Sequence, residues 1–192
     1  MSQFNIYSIQ NAPLAAQPLL DGAQQKFGFL PNLLGGLAES PAVLQAYLNL
    51  GVILDKTSLT PVEQQVVLLA ASVENHCIYC VAVHSMLAKH KAKADAAIVD
   101  ALREQQPLPD KKLDALATFT RAVVEQRGKV TGIALDNFIA AGYSRSQVLE
   151  VVLGVTMKTL SNYANHIIHA PLDSQFKAEE WNAPTQCNKQ CA

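Results

Sequence analysis

The chain reads as an all-α protein, and three features of the sequence predict this. Helix-opening signals recur: Ser40-Pro41, the capping box Thr60-Pro61-Val62-Glu63, and Ser144 ahead of an apolar run. Apolar residues between these signals fall three and four apart, as at Leu44, Tyr47 and Leu48, or at Leu113, Leu116 and Ala117. Breakers close the runs at Pro107, Gly128, Gly142 and Pro171.

Taken in order, residues 1–20 read as a loop with room for one short helix, and 21–30 as a short amphipathic helix. Phe27 to Asn32 form a turn, followed by an apolar segment from Leu33 to Leu37. Ser40 caps a helix from Pro41 to Leu54. Thr60 caps the next, which runs through Val66, Val67, Leu68 and Leu69 to Val73; being apolar nearly all round, it should lie at the centre. A cysteine-bearing helix spans about 76–90, and a further helix is expected over 91–107. Asp110 to about Gln126 carries one apolar stripe. Thr131 is expected to cap a helix with Leu135, Phe138 and Ile139 inside. Ser144 caps the last, with Val148, Leu149, Val151, Val152 and Val155 buried. A single domain over 1–171 is therefore expected, with a polar tail over 172–192 anchored at most by Trp181. Shifting the chain by 85 residues lays Gln65-Val66-Val67-Leu68 on Glu150-Val151-Val152-Leu153, His84 on His169, and Cys77 and Cys80 on Asn162 and Asn165. The bundle thus reads as two related helical halves.

Bulk composition narrows the function classes. Of 192 residues, 49% are hydrophobic and 16% charged, which suits a folded globule with a full core. A net charge of −1 argues against nucleic-acid or anionic-membrane partners. No apolar run is long enough to span a bilayer. Met1 to Asn5 lack the basic start and apolar core of a signal peptide, so a cytoplasmic location is expected. Four cysteines fall in two pairs, Cys77/Cys80 and Cys187/Cys191, which is not a disulfide framework.

The chemistry concentrates in Glu74-Asn75-His76-Cys77-Ile78-Tyr79-Cys80-Val81-Ala82-Val83-His84. On a helix, spacings of three and four put Cys77, Cys80 and His84 on one face. Two thiols within bonding reach, with an imidazole one turn on, suit a dithiol redox centre. A break at Glu74-Asn75-His76, with Asn75 as N-cap, would set Cys77 in a first turn, where free N–H groups favour a thiolate. Other readings stand beside this one. The cysteines suit plain helix packing as well. His76, Cys77, Cys80 and His84 offer up to four N/S ligands, although four on one helix suit a tetrahedral ion poorly, and no metal or cofactor is assigned. His166 and His169 read as core or interface histidines, and Cys187/Cys191 as an exposed terminus or a shuttle dithiol.

Leu59-Thr60-Pro61-Val62-Glu63, the apolar helix after it and the C-x-x-C-x-x-x-H run from Cys77 to His84 resemble the carboxymuconolactone decarboxylase superfamily. The nearer resemblance is to its alkylhydroperoxidase D (AhpD)-like branch. Ala141-Gly142-Tyr143-Ser144 and Asn162 to His166 extend it, so that it covers about 27–170. The resemblance implies an all-helical homo-oligomer that reduces hydroperoxides and is recharged by a dithiol or lipoylated-protein reductant. It implies Cys80 as the peroxidatic thiol, Cys77 as the more accessible resolving thiol and His84 as the proton relay. One departure stands out: the glutamate the family often has 12 residues before the first cysteine is Gln65 here. An amide cannot take up a proton at neutral pH. Glu74, one turn before Cys77, is the substitute candidate; Glu63 is accounted for by its cap. The resemblance leaves two alternatives open, the lyase chemistry of the wider family and a non-enzymatic redox-sensing helical oligomer.

Overall fold

A computed structural model describes residues 4–182. Its α-helices are α1 Gln17–Phe27, α2 Asn32–Leu37, α3 Pro41–Leu54, α4 Pro61–Glu74, α5 Ile78–Met86, α6 Ala96–Arg103, α7 Lys111–Glu125, α8 Ile133–Ala140 and α9 Arg145–Ile168. A π turn, Leu87–Lys91, follows α5, and a 3-10 turn, Ser174–Glu179, follows α9. No strand occurs among the described residues, so the all-α expectation holds. Cys187 and Cys191 lie outside the described residues.

Helix α4 occupies the centre, as its all-round apolar surface requires. It packs against α5, α6, α7 and α9. Its start is fixed by a complete capping box: the Glu63 N–H donates to the Thr60 hydroxyl, and the Thr60 N–H donates to the Glu63 carboxylate at 2.8 Å. One side of α4 joins a core with Leu102, Leu116, Phe119, Phe138 and Val151. A second core gathers α1, α2 and α5 around Leu20, Leu34, Leu44 and Phe176, and it holds both cysteines. Helix α9, 24 residues long, is opened by a second capping box between Ser144 and Gln147. It passes so near α4 that a Cβ on Gly154 would sit 2.7 Å from Val67 Cγ1.

Several local expectations need correction. The helix expected over 91–107 is only Ala96–Arg103, because the Asp95 carboxylate caps it late and the backbone turns left-handed at Lys93 and Gln105. Gly132, not Thr131, occupies the N-cap of α8, at φ 63°, a conformation costly for a threonine. The break between α4 and α5 has no counterpart in α9, which runs unbroken past Asn162, so the helix-break-helix pattern does not repeat. The polar tail expected from 172 is packed through Trp181. Phe176 and Trp181 are buried, Asp173 accepts from the Asn32 N–H, and Arg103 donates to the Glu179 and Glu180 carbonyls. Two large aromatic rings in this segment gain more from burial than its polar residues lose.

Gly154→Val should lower stability by about 1–3 kcal/mol through overpacking against Val67. The melting temperature should fall by roughly 3–10 °C in thermal unfolding followed by circular dichroism.

Candidate active site

The backbone break places the thiols. Helix α4 ends at Glu74, His76 turns left-handed at φ 54°, and Cys77 occupies the N-cap of α5 in an extended conformation. Asn75 is therefore the C-cap of α4 rather than an N-cap, and its amide donates to Asn162 Oδ1 at 3.0 Å. Cys77 sits just ahead of α5 and Cys80 in its first turn, where unpaired N–H groups favour negative charge. Both sulfurs are free thiols and buried, Cys77 at 0% and Cys80 at 2% exposure. The expected greater accessibility of Cys77 is thus absent in the single chain, because α9 covers it: Asn165 Nδ2 lies 3.7 Å from Cys77 Sγ.

The sequence reading missed the residue nearest the chemistry. Lys158, on the inner face of α9, is 0% exposed. Its Nζ lies 3.0 Å from His84 Nε2, and its charge faces the Cys80 sulfur. Helical phase held the signal. Counting on from the buried Val151 and Val155 by three and four gives Lys158, Asn162 and Asn165, all buried.

Charge at this cluster follows from its contacts. Cys80 is held below the usual thiol range, first by the hydrogen bond from the Cys77 thiol, against the opposing effect of burial, and then by Lys158 and Asn162. Asn162 Nδ2 has no other partner. Cys77 moves the opposite way: its bond to Cys80, its burial and the neighbouring thiolate all keep it protonated. Burial would drive Lys158 towards the neutral amine, but the facing Cys80 thiolate, with Tyr47 and Cys77, outweighs this and keeps it charged. His84 lies well below the ordinary imidazole range, from burial and then from Lys158, so it is neutral. The Lys158 ammonium can only donate to His84 Nε2, which leaves the ring proton on Nδ1. There it donates to Gln65 Oε1 at 3.0 Å. The departure at position 65 therefore has a local fit: an amide oxygen accepts this proton without adding charge.

Glu74 is not brought to the thiols. It lies nine residues after Gln65 on α4, close to half a turn round the helix, and so faces Glu125 and Arg121 of α7. Burial, and then Glu125, raise its carboxyl pKa. Glu63 is engaged at its cap and with Lys112 at 3.3 Å. Tyr79 turns away from the sulfurs, its hydroxyl donating to Asp173. No metal-binding group of three His, Cys, Asp or Glu occurs among the described residues.

A cavity of about 780 Å³ opens beside the cluster. Tyr47, Gln65 and His84 line it, with Leu34, Leu68 and Val83 among the apolar walls, and the exposed Lys26 and Lys91 also border it.

Residues 41–121 match the carboxymuconolactone decarboxylase family. A comparison with curated proteins finds no match. Among solved structures, the chain is similar to an AhpD core, an uncharacterized peroxidase-related protein from Ralstonia eutropha JMP134. The TM-score is 0.79 at 20% identity, over 91% of this chain and 94% of that one. It is similar too to the debrominase Bmp8 (C82A) in complex with 2,3,4-tribromopyrrole, with a TM-score of 0.77 at 18% identity over 93% and 96%. A third likeness is to an uncharacterized peroxidase-related protein from Silicibacter sp. TM1040, with a TM-score of 0.76 at 15% identity over 91% and 92%. At these identities the structures establish the shared AhpD-like fold.

Cys77→Ala should raise the Cys80 pKa, because the strongest bond to the thiolate is removed. In thiolate absorbance near 240 nm, the titration midpoint should move to higher pH than in a Cys77-containing protein kept reduced.

Proposed function

We propose that this chain, which belongs to the carboxymuconolactone decarboxylase superfamily and has the AhpD-like fold, is a dithiol-dependent reductase of apolar organic hydroperoxides. The observation that carries the reading is the placement of the free thiol pair, Cys77 at the N-cap of α5 and Cys80 in its first turn facing the buried Lys158, an arrangement that favours the thiolate at Cys80 and the thiol at Cys77. That is the division of labour a peroxidatic and a resolving cysteine require.

In this cycle the Cys80 thiolate attacks the outer peroxide oxygen. The O–O bond breaks, the alcohol leaves and Cys80 becomes a sulfenic acid. The Cys77 sulfur then attacks Cys80, the S–S bond forms and water leaves. A dithiol, free or on a lipoylated protein, returns two electrons by exchange. His84 is neutral and bridges Gln65 and Lys158, so its part is positioning rather than the direct proton relay expected of it. Glu74 has no part. The apolar cavity supports a substrate with a bulky hydrocarbon body. Self-association is supported by the outer face of α9, where Leu149, Val152, Tyr163 and Ile167 are exposed in one stripe. A cytoplasmic, reducing location suits a pair that must be recharged.

A second reading uses the same two electrons to remove a halogen from an apolar ring. The likeness to debrominase Bmp8 and the apolar cavity favour it. Lyase chemistry of the wider family does not call on the thiols.

With dihydrolipoamide as reductant, cumene hydroperoxide should be turned over with a higher kcat/KM than hydrogen peroxide. Cys80→Ser should fall to the uncatalysed background, and Cys77→Ser should stop after one turnover with Cys80 trapped as sulfenic acid in mass spectrometry. Full turnover by Cys80→Ser would refute the reading; bromide release from a bromopyrrole in place of peroxide turnover would favour the second. Activity on a lactone acid that survives both Cys→Ser changes would indicate the lyase.

A further inference from the structure

We propose that Lys158 is the acid–base group of this site: its ammonium is the counter-ion of the Cys80 thiolate and the source of the proton that the leaving oxygen takes. The proposal rests on the peroxide-reducing reading above. Four observations lead to it.

The first is the cost of the lysine. A fully buried ammonium without an anion is strongly destabilising. The groups facing Lys158 are Tyr47 from α3, Gln65-bound His84 and Cys80 from α5, and Cys77 at its N-cap, and none is a carboxylate. Gln65 is the neutral contribution of α4. Cys80 is thus the anion best placed to pair with it.

The second is the state of His84. Its Nδ1 proton is held by Gln65 and its Nε2 accepts from Lys158, so the ring has no proton to spare for a substrate. A second cation beside the ammonium is disfavoured. The acidic proton of the cluster belongs to Lys158.

Position is the third. Tyr47 and His84 both line the cavity; the His84 ring lies 3.0 Å from Lys158 Nζ, and Tyr47 faces the same charge. Cys80 and Lys158 are buried and do not themselves line the cavity, so a peroxide that reaches Cys80 past these two side chains meets Lys158 beside it.

The fourth is that the protons balance. Starting from Cys80 thiolate, Cys77 thiol and Lys158 ammonium, the thiolate takes the outer OH of the hydroperoxide and the alkoxide takes a proton from Lys158. The products are Cys80 sulfenic acid, alcohol and neutral Lys158. Cys77 then displaces water, its own proton leaving with the sulfenic OH, and the disulfide faces a neutral amine. No buried charge is stranded at that stage, because thiolate and ammonium disappear together. Reduction by a dithiol supplies two electrons and two protons; one proton restores Cys77 and the other restores the Lys158 ammonium. Position 65, where the family often has a glutamate, needs no carboxylate in this scheme.

Three proteins test it: wild type, Lys158→Met and Lys158→Arg, each also in a Cys77→Ser background and each checked for folding by thermal unfolding. Iodoacetamide alkylation of Cys80 is followed against pH in the Cys77→Ser forms. Turnover is measured with cumene hydroperoxide and with a peracid, whose carboxylate leaves without a proton. In Lys158→Met the alkylation midpoint should rise by about 1–3 pH units. Its cumene hydroperoxide turnover should fall by roughly 10²–10⁴-fold, and its peracid turnover by much less. Arginine stays charged but does not release a proton. Lys158→Arg should therefore keep the low alkylation midpoint and still lose cumene hydroperoxide turnover. An unchanged midpoint in Lys158→Met would overturn the ion pair, and equal losses on both peroxides would overturn the proton donation. A wild type inert towards both peroxides would refute the peroxidase reading and the proton donation with it, while the alkylation profile would still decide the ion pair.

Discussion

Lys158 has no solvent around it, and a buried ammonium must be answered by an acceptor or an anion. Here the answer comes from α5: His84 Nε2 at 3.0 Å and the Cys80 sulfur. This pairing bears on the charge of the other groups in the cluster. After the hydrogen bond from the Cys77 thiol, it favours the thiolate at Cys80, and that same bond keeps Cys77 protonated. Burial and then Lys158 disfavour the positive charge on His84, and the contact with Lys158 fixes which ring nitrogen carries the proton. It also explains why a glutamine serves at position 65, since the imidazole Nδ1–H asks only for an oxygen.

The architecture around the pair consists of three helices brought close together. Gly154 lets α9 approach α4 one turn before Lys158, and Val67 occupies the space a side chain would have taken. The left-handed residue His76 ends α4 and redirects the chain, so that α5 begins beside α9 with Cys80 in its first turn. The Asn75–Asn162 amide contact ties the break to α9. The two asparagines that echo the cysteines at an offset of 85 residues face them in crossed order, Asn162 towards Cys80 and Asn165 towards Cys77. A two-fold relation between helical halves requires that crossing, although the break itself is confined to the first half.

The segment after α9 has a structural share in the site. Asp173 holds both the Tyr79 hydroxyl and the N–H at the start of α2, while Phe176 packs against Tyr79 and Phe29. Tyr79 lies between the two cysteines in sequence, so this contact fixes the rotation of the first turn of α5. The same segment supplies Phe176 to the cavity wall. Thiol geometry and substrate space therefore depend on residues a hundred positions downstream.

Local chemistry made much of this legible from residues alone. The α3 and α4 helices, their start signals, the central place of α4 and the grouping of Cys77, Cys80 and His84 follow from capping and periodicity, which act within a few residues. The match to the carboxymuconolactone decarboxylase family falls on the same region. What the sequence left undecided depends on contacts between distant segments. Lys158 reads as one more lysine until the phase of α9 shows it turned inward, and Glu74 reads as close to Cys77 until the phase of α4 turns it towards α7. Whether Cys80 is charged depends on Cys77 three residues before it, which the sequence shows, and on Lys158 across from it, which only the packing of α9 on α5 supplies.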